Sequence, residues 1–269
     1  MSEKSPFSRS GSAMALLLVF AYLAGLAPGL PLGLWVGGAF AHWPGGELTL
    51  AEPGGGMIIE LLRTSLRELA VAIKVAPVWF SAAVVLSVVP QGALAAQLAS
   101  PEPTPLLDAV SLSVRRAPSL LAVAGAHLFA RVVLVGLVIF FAVASTVVAK
   151  SRSGELVVIG SVAALGALLA CALRLVADIA IVRVMRAGRR AGPALLDALG
   201  ASSWRAFAQA LLAALLGVVT FGLAAFFAHR VGAATGAQAF VGALLRLLAL
   251  ASLVVTRALC LGVAAATRA

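Results

Sequence analysis

Six long stretches of this chain are almost free of charged residues, and no other feature of the sequence restricts its fold as strongly. They cover residues 13–41, 75–99, 119–149, 156–176, 207–228 and 239–266. A helix of about 20 residues crosses the hydrocarbon core of a bilayer, so each stretch is long enough to span a membrane. The sequence therefore predicts an all-α, polytopic membrane helix bundle with six transmembrane helices, forming a single membrane domain over residues 1–269.

The composition excludes a water-soluble globular domain. Hydrophobic side chains make up 62% of the chain and charged ones 11%, which is too few to cover a soluble surface. The net charge of +10 could suggest nucleic acid as a partner, but the chain has a single Tyr and its arginines follow apolar stretches. Retention of positive loops in the cytoplasm explains this charge better, so we expect the lipid bilayer as partner and no nucleic acid.

The distribution of basic residues also predicts the orientation. Residues 183–193, between the fourth and fifth stretches, include four arginines and no acid: Arg183, Arg186, Arg189 and Arg190. A cytoplasmic location for this segment places both termini inside, with residues 1–12 as a cytoplasmic tail. Residues 42–57 contain Glu47 and Glu52 but no Lys or Arg, which fits an external loop, whereas Lys150 and Arg152 oppose this topology.

The expected location is the inner membrane of a bacterium. High Ala and Gly content and the preference for Arg over Lys are typical of a GC-rich bacterial genome. The first stretch is about twice as long as the apolar core of a signal peptide, so we interpret it as a retained span.

A short pattern occurs twice, 89 residues apart. Residues 105–117 and 194–206 are identical at seven of thirteen positions, and each copy precedes a long apolar stretch. This predicts a parallel internal repeat in which a short amphipathic interfacial helix leads into a span. Residues 57–74 have apolar side chains every three or four positions, which predicts another interfacial helix.

The first stretch carries small residues at intervals of four. They are Gly25, Gly29, Gly33 and Gly37. This spacing leaves one helix face without side chains, so another helix can approach closely. We interpret the stripe as a packing surface within the chain, and an oligomer contact or a substrate groove remains an alternative.

Several ionisable residues fall inside the predicted spans, where charge is costly and frequently functional. Arg174 and Asp178 are four residues apart and can form an ion pair along one helix face. Four further residues are candidates for an anion or lipid site: His127, Arg131, Arg246 and Arg257. As an alternative, these residues form structural ion pairs, or their long side chains extend to a membrane interface. Arg257 lies near enough to the inner end of its span to reach that interface.

No catalytic or cofactor motif occurs in the sequence. Phosphate-binding loops, dinucleotide fingerprints, nucleophile elbows and paired carboxylates are missing. Cys171 and Cys260 lie in apolar runs without neighbouring His or acidic residues. We therefore expect a protein that is not an enzyme and that needs neither a metal nor a cofactor.

One segment resembles a known docking element. The run from Leu199 and Gly200 through Trp204 to Phe207 reads Leu-Gly-Ala-Ser-Ser-Trp-Arg-Ala-Phe. It is similar to the coupling loop of ABC importer permeases, whose short cytoplasmic helix docks into an ATPase subunit. The likeness covers nine residues and implies a permease subunit whose ATPase-docking helix lies at 194–207.

The layout of the whole chain resembles a second group of proteins. A basic run at 183–190, a short helix at 193–205 and an apolar span follow one another. This order is similar to that of poorly characterised bacterial six-span membrane proteins, such as the membrane domain found with glycerophosphodiester phosphodiesterases. These proteins have no settled activity, so the resemblance implies the layout alone. We expect a role in transport or as a scaffold subunit of a membrane assembly that can form oligomers, and the ABC permease subunit is the alternative.

Overall fold

A computed structural model describes residues 10–24, 66–100, 102–148, 152–231 and 236–267 of the chain. Every regular element in these ranges is an α-helix. We number the eight helices in chain order: α1 (Gly11–Ala24), α2 (Leu66–Ala99), α3 (Leu106–Arg115), α4 (Ala117–Val148), α5 (Arg152–Ala187), α6 (Ala191–Ala201), α7 (Trp204–Val231) and α8 (Gly236–Ala266).

The helical architecture and the membrane character of the chain are confirmed. Five of the described helices are long and apolar enough to cross a bilayer. Their apolar segments are Ser81–Ala99, Ala117–Ala144, Val157–Ala187, Trp204–Ala228 and Phe240–Ala266. The chain is therefore a multi-pass membrane protein, and these segments match the second to sixth predicted spans. Of the first predicted span, α1 covers the beginning, and the glycine stripe at Gly25, Gly29, Gly33 and Gly37 lies outside the described residues.

The described residues divide into two compact units, one within Val19–Ser87 and one within Met1–Leu18 and Val88–Ala269. The core and the candidate sites lie in the second unit. Its largest fully buried apolar side chains are Leu94, Val123, Ile179, Val184 and Leu261. They come from the C-terminal parts of α2, α5 and α8 and from the N-terminal part of α4, so the core lies at the end of the unit that contains α3 and α6.

The fourth predicted span is longer than expected. It was predicted to end at residue 176, before a loop at 183–193, but α5 continues to Ala187 and α6 begins at Ala191. Arginine is a good helix former, so the charged residues at this end of α5 do not end the helix. Arg183 and Arg186 are thus helical residues, and the connection has three residues.

A cap closes the C-terminus of α5 before this tight connection. Gly188 has a φ of 65°, and its N–H donates to the Val184 carbonyl at 3.1 Å. Arg116, between α3 and α4, donates from Nη1 to the carbonyls of Val184, at 2.7 Å, and Met185. A cation at the negative end of a helix dipole is favourable, and glycine adopts this left-handed conformation without strain.

The two copies of the short repeat have the same order of helices, but their matching side chains differ in burial and contacts. In both, a short helix leads into a long one: α3 into α4, and α6 into α7. Ser113 is fully buried and donates to the Val89 carbonyl at 3.0 Å, whereas its counterpart Ser202 is exposed. Arg116 caps α5, whereas its counterpart Arg205 is exposed. The internal duplication therefore stays a prediction.

The predicted interfacial helix at 57–74 lies partly outside the described residues. From Leu66 onward its residues belong to α2, which continues without interruption into the apolar segment Ser81–Ala99. This part of the segment is therefore not a separate helix.

Candidate functional site

An ion pair within the membrane-spanning part of the unit joins α5 to α8. Asp178 is 0% exposed and Arg257 is 8% exposed, and Nη1 of the arginine donates to Oδ1 of the carboxylate. Asp178 lies nine residues before the end of α5, and Arg257 lies nine residues before the end of α8. Both residues are thus about 13 Å from the C-terminal ends of their helices. Because α5 and α8 end at the same depth, the two side chains lie at the same depth as well.

Two further polar side chains complete this cluster, which we call the polar cluster: Asp178, Arg257, Arg174 and Gln91. Arg174 Nε lies 3.4 Å from Asp178 Oδ1, one turn along α5. Arg257 Nη2 donates to Gln91 Oε1, on α2, at 2.8 Å. One carboxylate therefore faces two guanidinium groups, which leaves the cluster with an excess positive charge.

Hydrogen bonding in this region is incomplete. Among the described residues, three buried atoms near one another in the bundle have no hydrogen-bond partner: Asp178 Oδ2, Arg257 Nε and His127 Nε2. A buried polar atom without a partner costs roughly 1–3 kcal/mol in proteins, so native structures rarely retain several of them. Water or another polar species can satisfy atoms of this kind.

Helix α4 extends the cluster with two basic residues. Arg131, Arg174, Asp178 and Arg257 all act electrostatically on His127, and Arg131 interacts in the same way with Arg174 and Asp178. His127 is half-buried, whereas Arg131 is exposed. The positive charge therefore continues from the buried pair to a side chain on the surface of the bundle, at the depth of the apolar segment Ala117–Ala144.

Of the four residues considered for an anion or lipid site, Arg257 belongs to the polar cluster, and His127 lies within electrostatic range of both Arg257 and Arg131. Arg246 is exposed on α8, eleven residues before Arg257, which is about 16 Å along the helix, so it lies outside the polar cluster. Arg257 does not extend to an interface as its position in the sequence suggested, because Asp178 and Gln91 hold its guanidinium inside the bundle.

Sequence reasoning missed Gln91 and the partner of Arg257. Gln91 lies eight residues before the end of α2, at nearly the level at which Asp178 and Arg257 lie on their helices. Counting each polar residue from the same end of the bundle would have placed the three together. That count needs the end of α5 at Ala187, which lies eleven residues beyond the predicted end of the fourth span at residue 176.

The segment that resembles a docking loop joins α6 to α7. Leu199 and Gly200 lie in the last turn of α6, and Trp204 begins α7. Trp204 is 79% exposed and its ring packs against Phe207, with centroids 5.4 Å apart. Leu196 and Leu199 are also exposed, so this corner presents a surface of large apolar side chains.

The described residues contain no group of three or more His, Cys, Asp or Glu side chains that could hold a metal ion. The charged groups of the polar cluster can instead pair with an anion or share a proton. No protein-family model, curated protein or solved structure matches this chain. The candidate site therefore rests on its own geometry.

Proposed function

We propose that this chain is a non-enzymatic protein of the bacterial inner membrane that acts in transport, and that the polar cluster is part of its path for an anionic solute. In the proposed topology both termini are cytoplasmic, and the α3 and α6 end of the bundle faces the cytoplasm. A scaffold role in a membrane assembly is the alternative.

The excess positive charge of the polar cluster is the observation that carries this proposal. One carboxylate and two arginines leave a net positive charge inside the bundle, which is costly in hydrocarbon. An anion that binds beside them would neutralise this charge. Arg257 Nε has no hydrogen-bond partner and could donate to an anion. His127 Nε2 also has no partner and could hydrogen-bond to the anion or to a proton that it carries. Arg131 gives this buried charge a route to the bundle surface.

Anion flux through the purified protein in liposomes tests the proposal. We expect currents on a solid-supported membrane when chloride, inorganic phosphate or succinate is applied, with at least one anion active. Arg131→Gln removes an exposed charge without breaking the buried ion pair, and should lower that current about tenfold, as expected when a charge-assisted contact is lost. Arg246→Gln is the matched control, because Arg246 is also an exposed arginine of an apolar helix but lies outside the cluster.

Two outcomes would contradict this proposal. Wild-type liposomes that give no current with any of the three anions would exclude transport of these classes of solute. An equal loss of current in Arg131→Gln and Arg246→Gln would assign the effect to general surface charge rather than to the polar cluster.

A second candidate function is that of a permease subunit with a separate ATPase. The apolar surface formed by Leu196, Leu199 and Trp204 favours it, because large exposed side chains in a short connection suit a docking contact. In mild-detergent purification we expect an ATPase subunit to accompany the wild type and to be lost in Trp204→Ala. Leu107→Ala removes a similarly exposed side chain from α3 and should leave the association unchanged. Recovery of the same partners with Trp204→Ala would exclude this docking surface.

A further inference from the structure

A second basic site lies where α5 and α8 end, and it shares no residue with the polar cluster. It is a cleft of about 390 Å³. We call it the basic cleft; its lining residues come from the last turns of the two helices and the connection after α5. Arg183, the nearest of its arginines, lies five residues beyond Asp178, which is about 7 Å further along α5.

Three arginines line the basic cleft, and one acid from α6 holds two of them. Asp197 Oδ2 lies 3.5 Å from Arg183 Nη1 and also pairs with Arg189. Arg186 is exposed and has no acidic partner among the residues that the structure describes. Asp197 thus fixes two guanidinium groups in position but neutralises only one charge, and the cleft keeps an excess of positive charge.

The other residues that line the basic cleft are apolar except for Thr267. Ile179 and Val182 on α5 and Ala264 and Ala265 on α8 line it. All four belong to the segments that can cross a membrane, Val157–Ala187 and Phe240–Ala266. Ile179 and Val182 lie deeper in the span than the three arginines, whereas Ala264 and Ala265 lie in the last turn of α8. The deeper wall of the cleft is therefore apolar, and its cationic side chains lie nearer the helix ends. This matches the order of groups in a phospholipid, in which a charged phosphate precedes the apolar chains.

We propose that the basic cleft binds the phosphate group of an anionic phospholipid. Arginine forms paired hydrogen bonds to phosphate oxygens, and basic pockets between helices on the cytoplasmic side of a membrane recognise anionic headgroups. A soluble phosphate would use the arginines but not the apolar walls, whereas a lipid uses both. This site does not depend on the proposed transport function, because Arg131 and the polar cluster take no part in it.

Native mass spectrometry of the detergent-purified protein with added lipid tests this site. The probes are phosphatidylglycerol, which has a net negative charge, and phosphatidylcholine, which has the same phosphodiester but no net charge. We expect one phosphatidylglycerol molecule to bind more tightly than the others and phosphatidylcholine to bind weakly. Arg186→Gln should weaken the tight site about fivefold, because one arginine contact with the headgroup is lost.

The control variant is Arg190→Gln. Arg190 is exposed two residues beyond Gly188 and precedes α6, but it does not line the basic cleft, so phosphatidylglycerol should bind this variant as tightly as the wild type. Arg186 makes no ion pair with Asp197, so Arg186→Gln should leave the thermal unfolding temperature unchanged. We expect the same unfolding temperature for Arg190→Gln.

Three results would overturn the proposal. Equal weakening by Arg190→Gln would show general charge attraction, and equal binding of the two lipids would show that the arginines do not select the headgroup. Displacement of bound phosphatidylglycerol by glycerol 3-phosphate at equal concentration would show that the cleft takes a soluble phosphate, because the apolar walls would then contribute nothing.

Discussion

Asp178→Leu is expected to lower the free energy of unfolding by about 3–5 kcal/mol, the largest effect of any single substitution considered for this protein. The change leaves Arg257 buried beside Arg174 with no carboxylate between them. Gln91 accepts one hydrogen bond from Arg257 but carries no charge to compensate it. Unfolding in mixed detergent with increasing dodecyl sulfate, followed by circular dichroism, measures this loss.

Two companion variants define the cause of the loss. Asp178→Leu combined with Arg257→Leu should recover most of the stability, because replacing both members of a buried ion pair by apolar residues is frequently neutral. Asp197→Leu is the matched control. The Asp197 side chain is about one-third exposed and its partner Arg189 is half exposed, so this substitution should cost about 1 kcal/mol or less. Wild-type stability in Asp178→Leu would show that Arg257 is not buried against this carboxylate.

The double variant also separates a structural role of the ion pair from a functional one. If it folds like the wild type but gives no anion current, the charges serve transport. If the current persists, the pair only joins α5 to α8. A stability measurement by itself cannot make this distinction, because both roles predict the same loss in Asp178→Leu.

Gly217→Ala is expected to destabilise the contact between α7 and α8 by about 1–3 kcal/mol. A Cβ at Gly217 would lie 2.1 Å from Thr256 Oγ1 and 2.9 Å from Thr256 Cβ, so one helix must move. Rotation of the threonine is restricted because its hydroxyl donates to the Ser252 carbonyl at 2.7 Å. Ala206, Ala210 and Ala213 are also buried, and their spacing of three and four residues places them on the same face of α7 as Gly217.

Gly222→Ala is the control for this substitution. It lies in α7 five residues further on, and a Cβ there meets no atom within 4 Å. The same detergent unfolding series should show no loss for Gly222→Ala, and Gly217→Ala should regain part of its loss when combined with Thr256→Gly. A stability of Gly217→Ala equal to that of Gly222→Ala would contradict the close approach of the two helices.

Close helix contacts at glycines are not always marked by a regular spacing in the sequence. Regular spacing drew attention to Gly25, Gly29, Gly33 and Gly37, which lie outside the described residues. In the described part of the chain, the closest approaches occur at single glycines without such spacing: Gly92 against Ser113, Gly166 against Val138 and Gly217 against Thr256. A repeat within one helix is visible in the sequence, but a contact between two helices depends on their rotation and register.

The sequence by itself determined the helical class, the membrane environment and the approximate position of the spans. Long apolar stretches require internally satisfied backbone hydrogen bonds in lipid, and the helix provides them within one segment. This reasoning needs no tertiary contact, so α4, α7 and α8 agree with the predicted spans within a few residues at each end.

The tertiary structure decided which charges meet. Arg174 and Asp178 are neighbours on one helix, and their spacing alone predicts that they can pair. Arg257 lies 79 residues from Asp178 in the chain and Gln91 lies 166 residues from Arg257, so only the parallel direction and common end of α2, α5 and α8 could join them. The physical reason is that the length of an apolar stretch and the spacing of residues along a helix are properties of one segment. Ion pairing inside a bilayer depends instead on the depth and rotation of all the helices that surround the pair.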